Sequence, residues 1–300
     1  MRRMENIRKR YTESMAGKLF LVATPIGNLT DISERAIETL KHADIIAAED
    51  TRNSIKLLNH FAIKAPLTSY HEYNKIDKAY ELVGKMQDGS NVALVTDAGM
   101  PAISDPGEDI VRIAYEAGIE VTIIPGPCAA VSALAISGLK TRRFVFEGFL
   151  PTQKKEAADV LESLKRETRT IIMYEAPHRL VKTLKVLCDT LGEERKISLV
   201  REITKLHEEV IRTTLGDAVK KYESEEPKGE FVLVIEGLDT EALKQIEKEE
   251  SDWYSLSIKE HVQMYMDRGM DSKEAMKTVA KDRGIGKREV YKECVDDADA

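Results

Sequence analysis

The stretch Asn91–Gly107, NVALVTDAGMPAISDPG, places an apolar run directly before a glycine turn and two prolines. Val92–Val95 has no polar residue, which is typical of a strand that is covered on both faces in a parallel sheet. Asp97, Ala98 and Gly99 then bring a carboxylate and a nearly bare backbone to the carboxyl end of the strand. Open α/β sheets bind their ligands at that end. The stretch therefore predicts an α/β fold with a ligand loop.

A second stretch, Lys18–Thr30 (KLFLVATPIGNLT), has the same design. Its apolar strand, residues 19–23, runs into a tight turn with Pro25 and Gly27, and a helix is predicted to open after it. Each stretch alone is also typical of an ordinary strand-to-helix loop without a ligand. Because the design occurs twice, the sequence predicts one pocket between the turns at Gly27 and Gly99, at the tips of neighbouring strands.

Apolar runs alternate with amphipathic segments along the rest of the chain, as in βαβ units. Further strands are predicted at residues 45–48, 121–124, 144–149, 170–174, 197–200, 210–213 and 231–235. Helices are predicted at residues 31–42, 56–61, 76–86, 109–117 and 128–139. The later strands are expected to form a second sheet, more antiparallel than the first. The segment after residue 149, with Lys154 and Lys155, is predicted to be an exposed loop.

The composition limits the classes of protein that fit. Three hundred residues with 42% hydrophobic content suffice for two domains with cores of their own. No apolar run approaches the ~20 residues of a membrane span, so no membrane partner is expected. The three cysteines are odd in number and widely spaced, which disfavours disulfides and a zinc site and fits a reducing cytoplasm. The chain has no P-loop and no GxGxxG motif, which disfavours nucleotide hydrolysis and dinucleotide binding.

We predict four regions along the chain. Residues 1–17 are a flexible basic arm, either an incidental extension or an RNA contact. Residues 18–125 and 126–238 are an N-terminal and a C-terminal α/β domain, and residues 239–300 are an acidic linker followed by a small helical domain. The formal net charge of −7 does not exclude an RNA partner, because the acidic excess is concentrated between residues 217 and 252.

The last region carries the signals of three short helices. Asp271 with Glu274 predicts a capping box at the start of one of them, and glycines separate them. The helices resemble a helix-turn-helix unit, with basic residues near the last helix at Lys281, Arg283, Lys287 and Arg288. Such a unit serves as a packing or dimer module as often as it reads nucleic acid, and the sequence leaves both interpretations open.

Charged side chains collect at the ends of several predicted strands. They are Asp50 with Arg52, Glu175 with Arg179, and Arg201 with Lys205. Such residues fit a polar cleft, although an aspartate two residues before an arginine is also typical of a structural ion pair. His71 can relay a proton, because histidine titrates near neutral pH, or it can serve as a surface or orienting residue. The HEYNK sequence around it is not HExxH, so no metal is predicted.

Six motifs stand in order along the chain. They are TPIGNLTDIS (Thr24–Ser33), AAEDTR (Ala47–Arg52), TDAGMPAISDPG (Thr96–Gly107), PGPCAAVSAL (Pro125–Leu134), YEAPHR (Tyr174–Arg179) and GEFVLVI (Gly229–Ile235). Together they resemble the tetrapyrrole-methylase superfamily of S-adenosylmethionine enzymes, and most closely its ribosomal small-subunit methyltransferase I branch. The resemblance covers roughly residues 18–238.

This resemblance implies a fold, a cofactor and a substrate. The implied fold has two α/β domains of the tetrapyrrole-methylase (class III methyltransferase) type, with S-adenosylmethionine in the cleft between them. The implied cofactor contacts, made mainly by the backbone, are at Pro25, Ile26, Gly27, Asp97, Ala98, Gly99, Ile103 and Cys128. The implied substrate is 16S rRNA of the 30S subunit, methylated on the ribose 2′-hydroxyl of a decoding-region cytidine. A homodimer without a metal is also implied.

A ribose hydroxyl is a weak nucleophile at neutral pH, so a general base or an orienting hydrogen bond is expected to assist it. The candidates for this role, which the sequence does not rank, are Asp50, His71 and Glu175. The residues expected to hold RNA phosphates are Arg52, Arg179, Arg201 and Lys205.

Two other functions stay open, namely a methylase that acts on a small tetrapyrrole and an RNA-binding module without catalysis. The chain has PIGN at residues 25–28 where tetrapyrrole-modifying relatives have a more glycine-rich turn. It has DAG at residues 97–99 where they have Gly-Asp-Pro. These departures favour the rRNA branch.

Overall fold

The computed structural model describes residues 16–295, apart from the side chains of residues 248–252, 254 and 295. The predicted basic arm at residues 1–17 lies outside the described residues except for its last two positions. The chain divides into a large unit that ends at Gly237 and a small unit that begins at Leu238. The large unit contains two five-stranded sheets, and the small unit is helical.

The strands follow one another in two groups. The first sheet contains β1 (Lys18–Val22), β2 (Ile45–Ala48), β3 (Leu67–Ser69), β4 (Val92–Val95) and β5 (Glu120–Ile124). The second sheet contains β6 (Phe144–Phe149), β7 (Thr170–Glu175), β8 (Lys196–Arg201), β9 (Glu209–Thr214) and β10 (Phe231–Ile235).

Helices connect most of these strands. The large unit contains α1 (Glu34–His42), α2 (Thr51–His60), α3 (Lys75–Gln87), α4 (Gly107–Glu116), α5 (Ala129–Ile136), α6 (Lys154–Leu164), α7 (Pro177–Leu191) and α8 (Leu215–Ser224). The small unit contains α9 (Thr240–Tyr254), α10 (Ile258–Asp267), α11 (Ser272–Asp282) and α12 (Lys287–Val295). Within residues 16–295, no helix combines the length and the apolar character needed to cross a membrane.

The first sheet is parallel throughout and has the order β3-β2-β4-β1-β5. Successive residues of a strand point to opposite faces, and both faces of this sheet are covered. In β1, Leu21 packs in a core with Leu82 of α3 and Ile110 of α4, whereas Val22 packs in the opposite core with Leu40 of α1. The helices therefore leave the carboxyl ends of the strands as the edge that is open to a ligand.

The second sheet has the order β6-β7-β10-β8-β9. β6 and β7 pair in parallel, and the other three pairings are antiparallel, as the sequence predicts. One face packs against α6, α7 and α8 through residues that include Leu164, Leu184 and Leu215. The opposite face packs against α5 through Ala133 and Leu134. Two α/β sheets followed by a helical unit confirm the predicted fold class.

Several helices stand where the sequence analysis did not predict them. The segment with Lys154 and Lys155, predicted as an exposed loop, is the first turn of α6, so that prediction was wrong. α7 begins directly after the strand end at Glu175, with Pro177 in the first turn, where a proline needs no N–H donor. Its signal was the helical spacing of the leucines that it buries, namely Leu180, Leu184, Leu187 and Leu191. α8 was missed, and the predicted acidic linker contains α9.

Arg283 holds the small unit together from inside. Its Nε donates to Nδ1 of His261 at 3.1 Å, and its Nη2 donates to the carbonyls of Trp253, Leu256 and Ser257. His261 is fully buried and stacks on Trp253 with ring centroids 4.6 Å apart. The guanidinium therefore ties the turn between α9 and α10 to the end of α11. The sequence analysis noted Arg283 only as a basic residue, whereas the structure shows that its side chain is used inside the unit.

Helix caps in the small unit differ in part from the prediction. Asp271 caps α11 and accepts the N–H groups of Lys273 at 2.8 Å and Glu274 at 3.1 Å. The reciprocal capping box, in which both side chains take part, lies at Ser257 and Glu260 of α10. Each arrangement satisfies N–H groups that the first helical turn leaves without a partner.

Two leucines near β8 provide a test of the second core. Leu199 is completely buried in β8, whereas Leu206 in the following loop is 93% exposed. We expect Leu199→Ala to lower the free energy of unfolding by about 2–5 kcal/mol, because the deletion leaves a cavity between the sheet and its helices. Leu206→Ala is the matched control and should change it by about 0.5 kcal/mol or less. Urea unfolding followed by circular dichroism measures both, and equal losses would contradict the packing described.

Candidate active site

The turns that follow β1 and β4 meet. β1 and β4 are neighbours, and Thr24 and Gly99 form an antiparallel bridge just beyond their ends. The Thr24 N–H donates to the Gly99 carbonyl at 2.9 Å, and the Gly99 N–H donates to the Thr24 carbonyl at 3.1 Å. The Thr24 hydroxyl also donates to the carbonyl of Thr96 at 3.3 Å. The structure thus confirms that the two glycine turns adjoin.

Glycine is required in both turns. Gly99 has a φ of +86°, in the left-handed region that other residues rarely adopt, and a Cβ there would lie 3.2 Å from Cγ2 of Ile26. A Cβ at Gly27 would lie 2.4 Å from Cγ of Lys205. Lys205 belongs to the loop after β8, so this loop packs directly on the first turn.

A cleft of about 240 Å³ opens beside these turns, between the two sheets. The first sheet lines it with Ile26, Ala98, Gly99, Met100 and Ile103. Cys128, which precedes α5, lines it as well. The second sheet contributes residues that include Phe149, Tyr174, Glu175, Glu202, Lys205 and Phe231. The walls are therefore mainly apolar, with charged groups supplied from the second sheet.

The predicted cofactor residues fall into two sets. Five of the eight line the cleft, namely Ile26, Ala98, Gly99, Ile103 and Cys128. Pro25, Gly27 and Asp97 stand in the same turns but are not among its lining residues. Asp97 instead accepts hydrogen bonds from the Asp50 N–H at 3.2 Å and the Asn53 amide at 3.0 Å. The Gly99 N–H is engaged with Thr24, so a backbone grip on the cofactor cannot include it.

Asp50 and Arg52 form an ion pair at the start of α2. Asp50 caps the helix, with Oδ1 2.8 Å from the Arg52 N–H and Oδ2 2.7 Å from Arg52 Nη2. Hydrogen bonds from Arg52 lower the pKa of Asp50 to about 2. A carboxylate with so low a pKa is a weak general base at neutral pH, which favours the ion-pair interpretation. The Arg52 side chain is itself 87% exposed.

His71 lies between β3 and α3. Its backbone N–H donates to the Asn74 side chain at 2.8 Å, and its ring meets the edge of Tyr73 at a centroid distance of 6.1 Å. Nδ1 is buried and has no hydrogen-bond partner among residues 16–295. His71 is not among the residues that line the cleft. A part for His71 in proton transfer stays a prediction.

Glu175 is the base candidate that lines the cleft. It ends β7, and its carboxylate accepts from the Ala176 N–H at 2.8 Å and from the Thr183 hydroxyl. Arg179 Nε lies 3.5 Å from the same carboxylate, and the arginine also donates to the Leu150 carbonyl. Glu175 and Arg179 therefore brace the junction of β7 and α7. An RNA contact by Arg179 requires it to leave these partners.

Arg201 and Lys205 lie close together at the end of β8 and in the loop after it. Arg201 donates to a backbone carbonyl at 2.6 Å and pairs with Glu209 at 3.1 Å. Lys205 Nζ lies 2.8 Å from Glu202 and 2.9 Å from Glu230. Both cations have counter-charges within the protein, as Arg52 has in Asp50, but the Arg52 side chain is far more exposed. Phosphate contacts by these residues stay a prediction.

Glu49, which stands in the AAEDTR motif but was not among the candidate site residues, belongs to a partly buried polar cluster at the same edge. The Thr96 hydroxyl donates to Glu49 at 3.0 Å, and the Asp105 carboxylate accepts the N–H groups of Ala102 at 2.8 Å and Gly107 at 3.0 Å. Burial raises the pKa of both Glu49 and Asp105. The available signal was the position of Glu49 in AAEDTR, immediately after a buried strand.

The loop after β8, whose charged residues the sequence analysis assigned to a polar cleft, lines that cleft with Glu202 and Lys205. Glu202 and Thr204 adopt left-handed φ values of 49° and 67°, which cost roughly 1–3 kcal/mol each and occur most often at functional sites. Thr204 Oγ1 is buried without a hydrogen-bond partner in the described part of the chain. It lies 3.1 Å from the position that a Cβ of Gly27 would take. An unsatisfied polar atom thus faces the first glycine turn.

A parallel sheet with paired glycine turns, joined to a mixed sheet along an open cleft, defines a methyltransferase of the tetrapyrrole-methylase class. The family model described as Tetrapyrrole (Corrin/Porphyrin) Methylases matches residues 18–219. A Halalkalibacterium halodurans protein named Ribosomal RNA small subunit methyltransferase I is 52% identical over 275 residues, which cover 92% of the chain and 93% of that protein. The chain belongs to this family, and within it to the branch that this relative represents. Members of the family take the methyl group from S-adenosylmethionine.

Two further proteins mark the extent of the similarity. A Thermotoga maritima protein of the same name is 46% identical over 221 residues, which cover 74% of the chain but 99% of that protein. Among solved structures, diphthine synthase covers 73% of the chain and 90% of its own length, with a TM-score of 0.60 and 16% identity. This second likeness shows the fold alone.

The residues of the cleft fit S-adenosylmethionine. The side-chain-poor Ala98 and Gly99 allow close approach of a flat group, and apolar walls suit the adenine ring. Glu202 and Glu230, which share Lys205 as a counter-ion, place carboxylates at the cleft for a cationic ligand. Among residues 16–295, no group of three or more His, Cys, Asp or Glu side chains could hold a metal ion.

Two glycines with similar backbone conformations allow a controlled test of the second turn. Gly99 and Gly118 have φ values of +86° and +73°, but only Gly99 lines the cleft, and a Cβ at Gly118 would meet no atom within 4 Å. We expect both alanine substitutions to lower thermal stability through backbone strain. Only Gly99→Ala should weaken S-adenosylmethionine binding, by roughly tenfold or more. Calorimetric titration measures this, and equal affinities of the two variants would remove the turn from the site.

The raised pKa of Glu49 predicts a pH dependence of stability. Burial makes Glu49 hold its proton more tightly in the folded protein than in the unfolded chain, so its contribution to stability is lost as the pH rises through the folded pKa. Glu49→Gln removes this titration and keeps an acceptor for Thr96. The melting temperature of the variant, relative to the wild type, should therefore rise between pH 4 and pH 7. A difference that is constant or falls over this range would contradict the assignment.

Proposed function

We propose that the protein transfers a methyl group from S-adenosylmethionine to the ribose 2′-hydroxyl of a decoding-region cytidine in 16S rRNA. The observation that carries this proposal is the 52% identity to a small-subunit rRNA methyltransferase over nearly the whole of both chains. The proposed substrate is the 30S subunit, and the proposed place of action is the cytoplasm. The open cleft with its two glycine turns supports the proposal by offering a site for the donor.

The reaction requires mainly that the methyl donor and the ribose hydroxyl are held in line. When bound, S-adenosylmethionine would supply an activated methyl group: the hydroxyl oxygen bonds to the methyl carbon as the carbon–sulfur bond breaks in line, and S-adenosylhomocysteine leaves as the neutral thioether. The protein then has to hold both reactants in this geometry, and such positioning is worth roughly 7–11 kcal/mol. The paired turns at Thr24 and Gly99 give the donor side a fixed wall, because two main-chain hydrogen bonds join them.

The proton of the hydroxyl must also leave. Of the three base candidates, Glu175 lines the cleft, whereas Asp50 is held ionised by Arg52 and His71 lies elsewhere. The carboxylate of Glu175 is buried, accepts two hydrogen bonds and lies 3.5 Å from Arg179. We propose Glu175, as the candidate that lines the cleft, to orient the hydroxyl; to accept the proton as well, the carboxylate must give up one of these contacts.

RNA would approach from the charged side of the cleft. Lys205 lines the cleft and is shared between Glu202 and Glu230, so a phosphate must compete with these carboxylates for it. Arg52 is highly exposed at the carboxyl edge of the first sheet and is available to a phosphate without leaving Asp50, because five N–H donors surround its guanidinium. To bind a phosphate, Arg179 would have to leave Glu175, and Arg201 would have to leave Glu209.

We also propose that the protein is a homodimer. The support is α5, which is apolar around its whole circumference although part of it is exposed. Val131 is 47% and Ile136 is 36% exposed on this helix. A helix that is hydrophobic on all sides is normally covered, and a second copy of the chain would cover it.

The function is tested with 30S subunits from cells that lack small-subunit methyltransferase I. Wild-type protein and methyl-labelled S-adenosylmethionine should place the label in 16S rRNA, at a nucleotide whose 3′ phosphodiester becomes resistant to alkali because its 2′-hydroxyl is blocked. Gly99→Ala should label poorly, and Gly118→Ala should label like the wild type. Label on a base, on a tetrapyrrole, or on no RNA at all would refute the proposal.

A further inference from the structure

The small unit contains a groove between α11 and α12. It encloses about 490 Å³, and its walls are formed by Ser272, Lys273, Met276 and Lys277 of α11 with Lys287 and Tyr291 of α12, together with the cap residue Asp271. None of these residues lines the cleft of the large unit, and the proposed methyl transfer uses none of them.

The charge of this groove is positive although the chain as a whole is acidic. Between residues 271 and 292, seven Lys and Arg residues stand against four Asp and Glu residues, whereas the whole chain carries a formal charge of −7. Asp271 is the acidic residue in the groove, and its carboxylate is already used by the N–H groups of Lys273 and Glu274. A ligand in the groove therefore meets ammonium groups more than carboxylates.

The three groove lysines are not held in ion pairs within the described part of the chain. Lys273, Lys277 and Lys287 are all exposed, and none of them forms an ion pair with another residue between 16 and 295. By contrast, most of the lysines that do form ion pairs bind a carboxylate three or four residues away, as Lys244 binds Glu241. Lys273 and Lys287 also lie in the first turns of their helices, where a cation is unfavourable with respect to the helix dipole. Helix stability thus does not account for their positions.

An aromatic ring lies beside these cations. Tyr291 is 58% exposed and lines the groove with the partly buried Met276. Lysines that bind phosphates, interleaved with an exposed ring on which a base can stack, are the combination that single-stranded nucleic acid requires. An acidic protein surface would use the lysines but would leave the ring without a specific role.

We propose that this groove binds the phosphate backbone of a single-stranded segment of the substrate RNA. This inference rests on the proposed function for the identity of the RNA. Phosphates contact Lys273, Lys277 and Lys287, and an unstacked base lies on Tyr291. The groove adds affinity for the substrate and takes no part in the chemical step.

The relative from Thermotoga maritima supports this division of labour. Its matched region accounts for nearly its whole length and is about as long as the large unit, so a protein of the same name has no room for a comparable helical unit. The groove is therefore an addition to the methyltransferase fold, which is expected of a docking surface and not of a part of the reaction centre.

The test compares two double charge reversals in the full-length protein. K277E/K287E alters one groove lysine on each helix, and K64E/K182E alters two exposed lysines of the large unit that also lack ion pairs within residues 16–295. Binding to a protein-free 16S rRNA transcript is measured by filter retention without cofactor, at several salt concentrations. We expect K277E/K287E to weaken binding by roughly tenfold per lysine near 0.1 M salt and to lower the salt slope by about two. K64E/K182E should have a much smaller effect.

Further measurements separate docking from catalysis and from misfolding. K277E/K287E should leave the melting temperature and the affinity for S-adenosylmethionine unchanged, and it should raise KM for the RNA substrate with little change in kcat. K277R/K287R, which keeps both charges, should restore RNA binding.

Three results decide the proposal. The proposal is overturned if K277E/K287E changes the RNA affinity and the salt slope no more than K64E/K182E does. Weaker binding to assembled 30S subunits, with unchanged binding to bare rRNA, would also overturn it, because the groove would then contact a protein. If the wild type methylates no RNA but the groove variant loses RNA binding as expected, the groove proposal stands and the proposed function fails.

Discussion

The main-chain pairing of Thr24 with Gly99 is the constraint on which the site depends. Its two hydrogen bonds join the tips of β1 and β4, so the two glycine turns leave the parallel sheet as one edge. The opposite wall is built differently. There, ion pairs and hydrogen bonds among side chains hold the ends of β7 and β8, and a loop with left-handed residues reaches across to Gly27. The first wall is thus fixed by backbone hydrogen bonds, whereas the opposite wall is held by ion pairs between side chains.

Much of the first sheet follows from its sequence pattern. A parallel strand that is covered on both faces is typically apolar without interruption, and a turn residue with positive φ is most readily glycine, so Val92–Val95 and Gly99 are recognisable in isolation. The helices of the second half are less recognisable. The lysines at the start of α6 are also typical of a loop, and the leucines of α7 begin only after a proline. In both cases burial against the second sheet decides the structure, and a local pattern does not contain that information.

The charged residues show the same limit at the level of the site. Their positions at strand ends are predictable, but their partners are not, because the partner depends on the order of the strands. Lys205 pairs with Glu230 because β10 is inserted between β7 and β8. Arg179 is likewise engaged with Glu175 and a distant carbonyl. Glu49 was not chosen as a site residue, because its hydrogen bond with Thr96 depends on the pairing of β2 with β4, which the local sequence does not show.

The order of the first sheet also has a consequence during synthesis on the ribosome. β1 is made first, yet it lies between β4 and β5, and Lys18 pairs with Glu120. At about 5–20 residues per second, the first strand waits roughly 5–20 s before its last neighbour has been translated. Parallel pairing between such distant segments is intrinsically slow, since the loop must close before any contact forms. The nascent chain therefore exposes an apolar strand for that interval, and the cell must protect it from aggregation until residue 124 has been added.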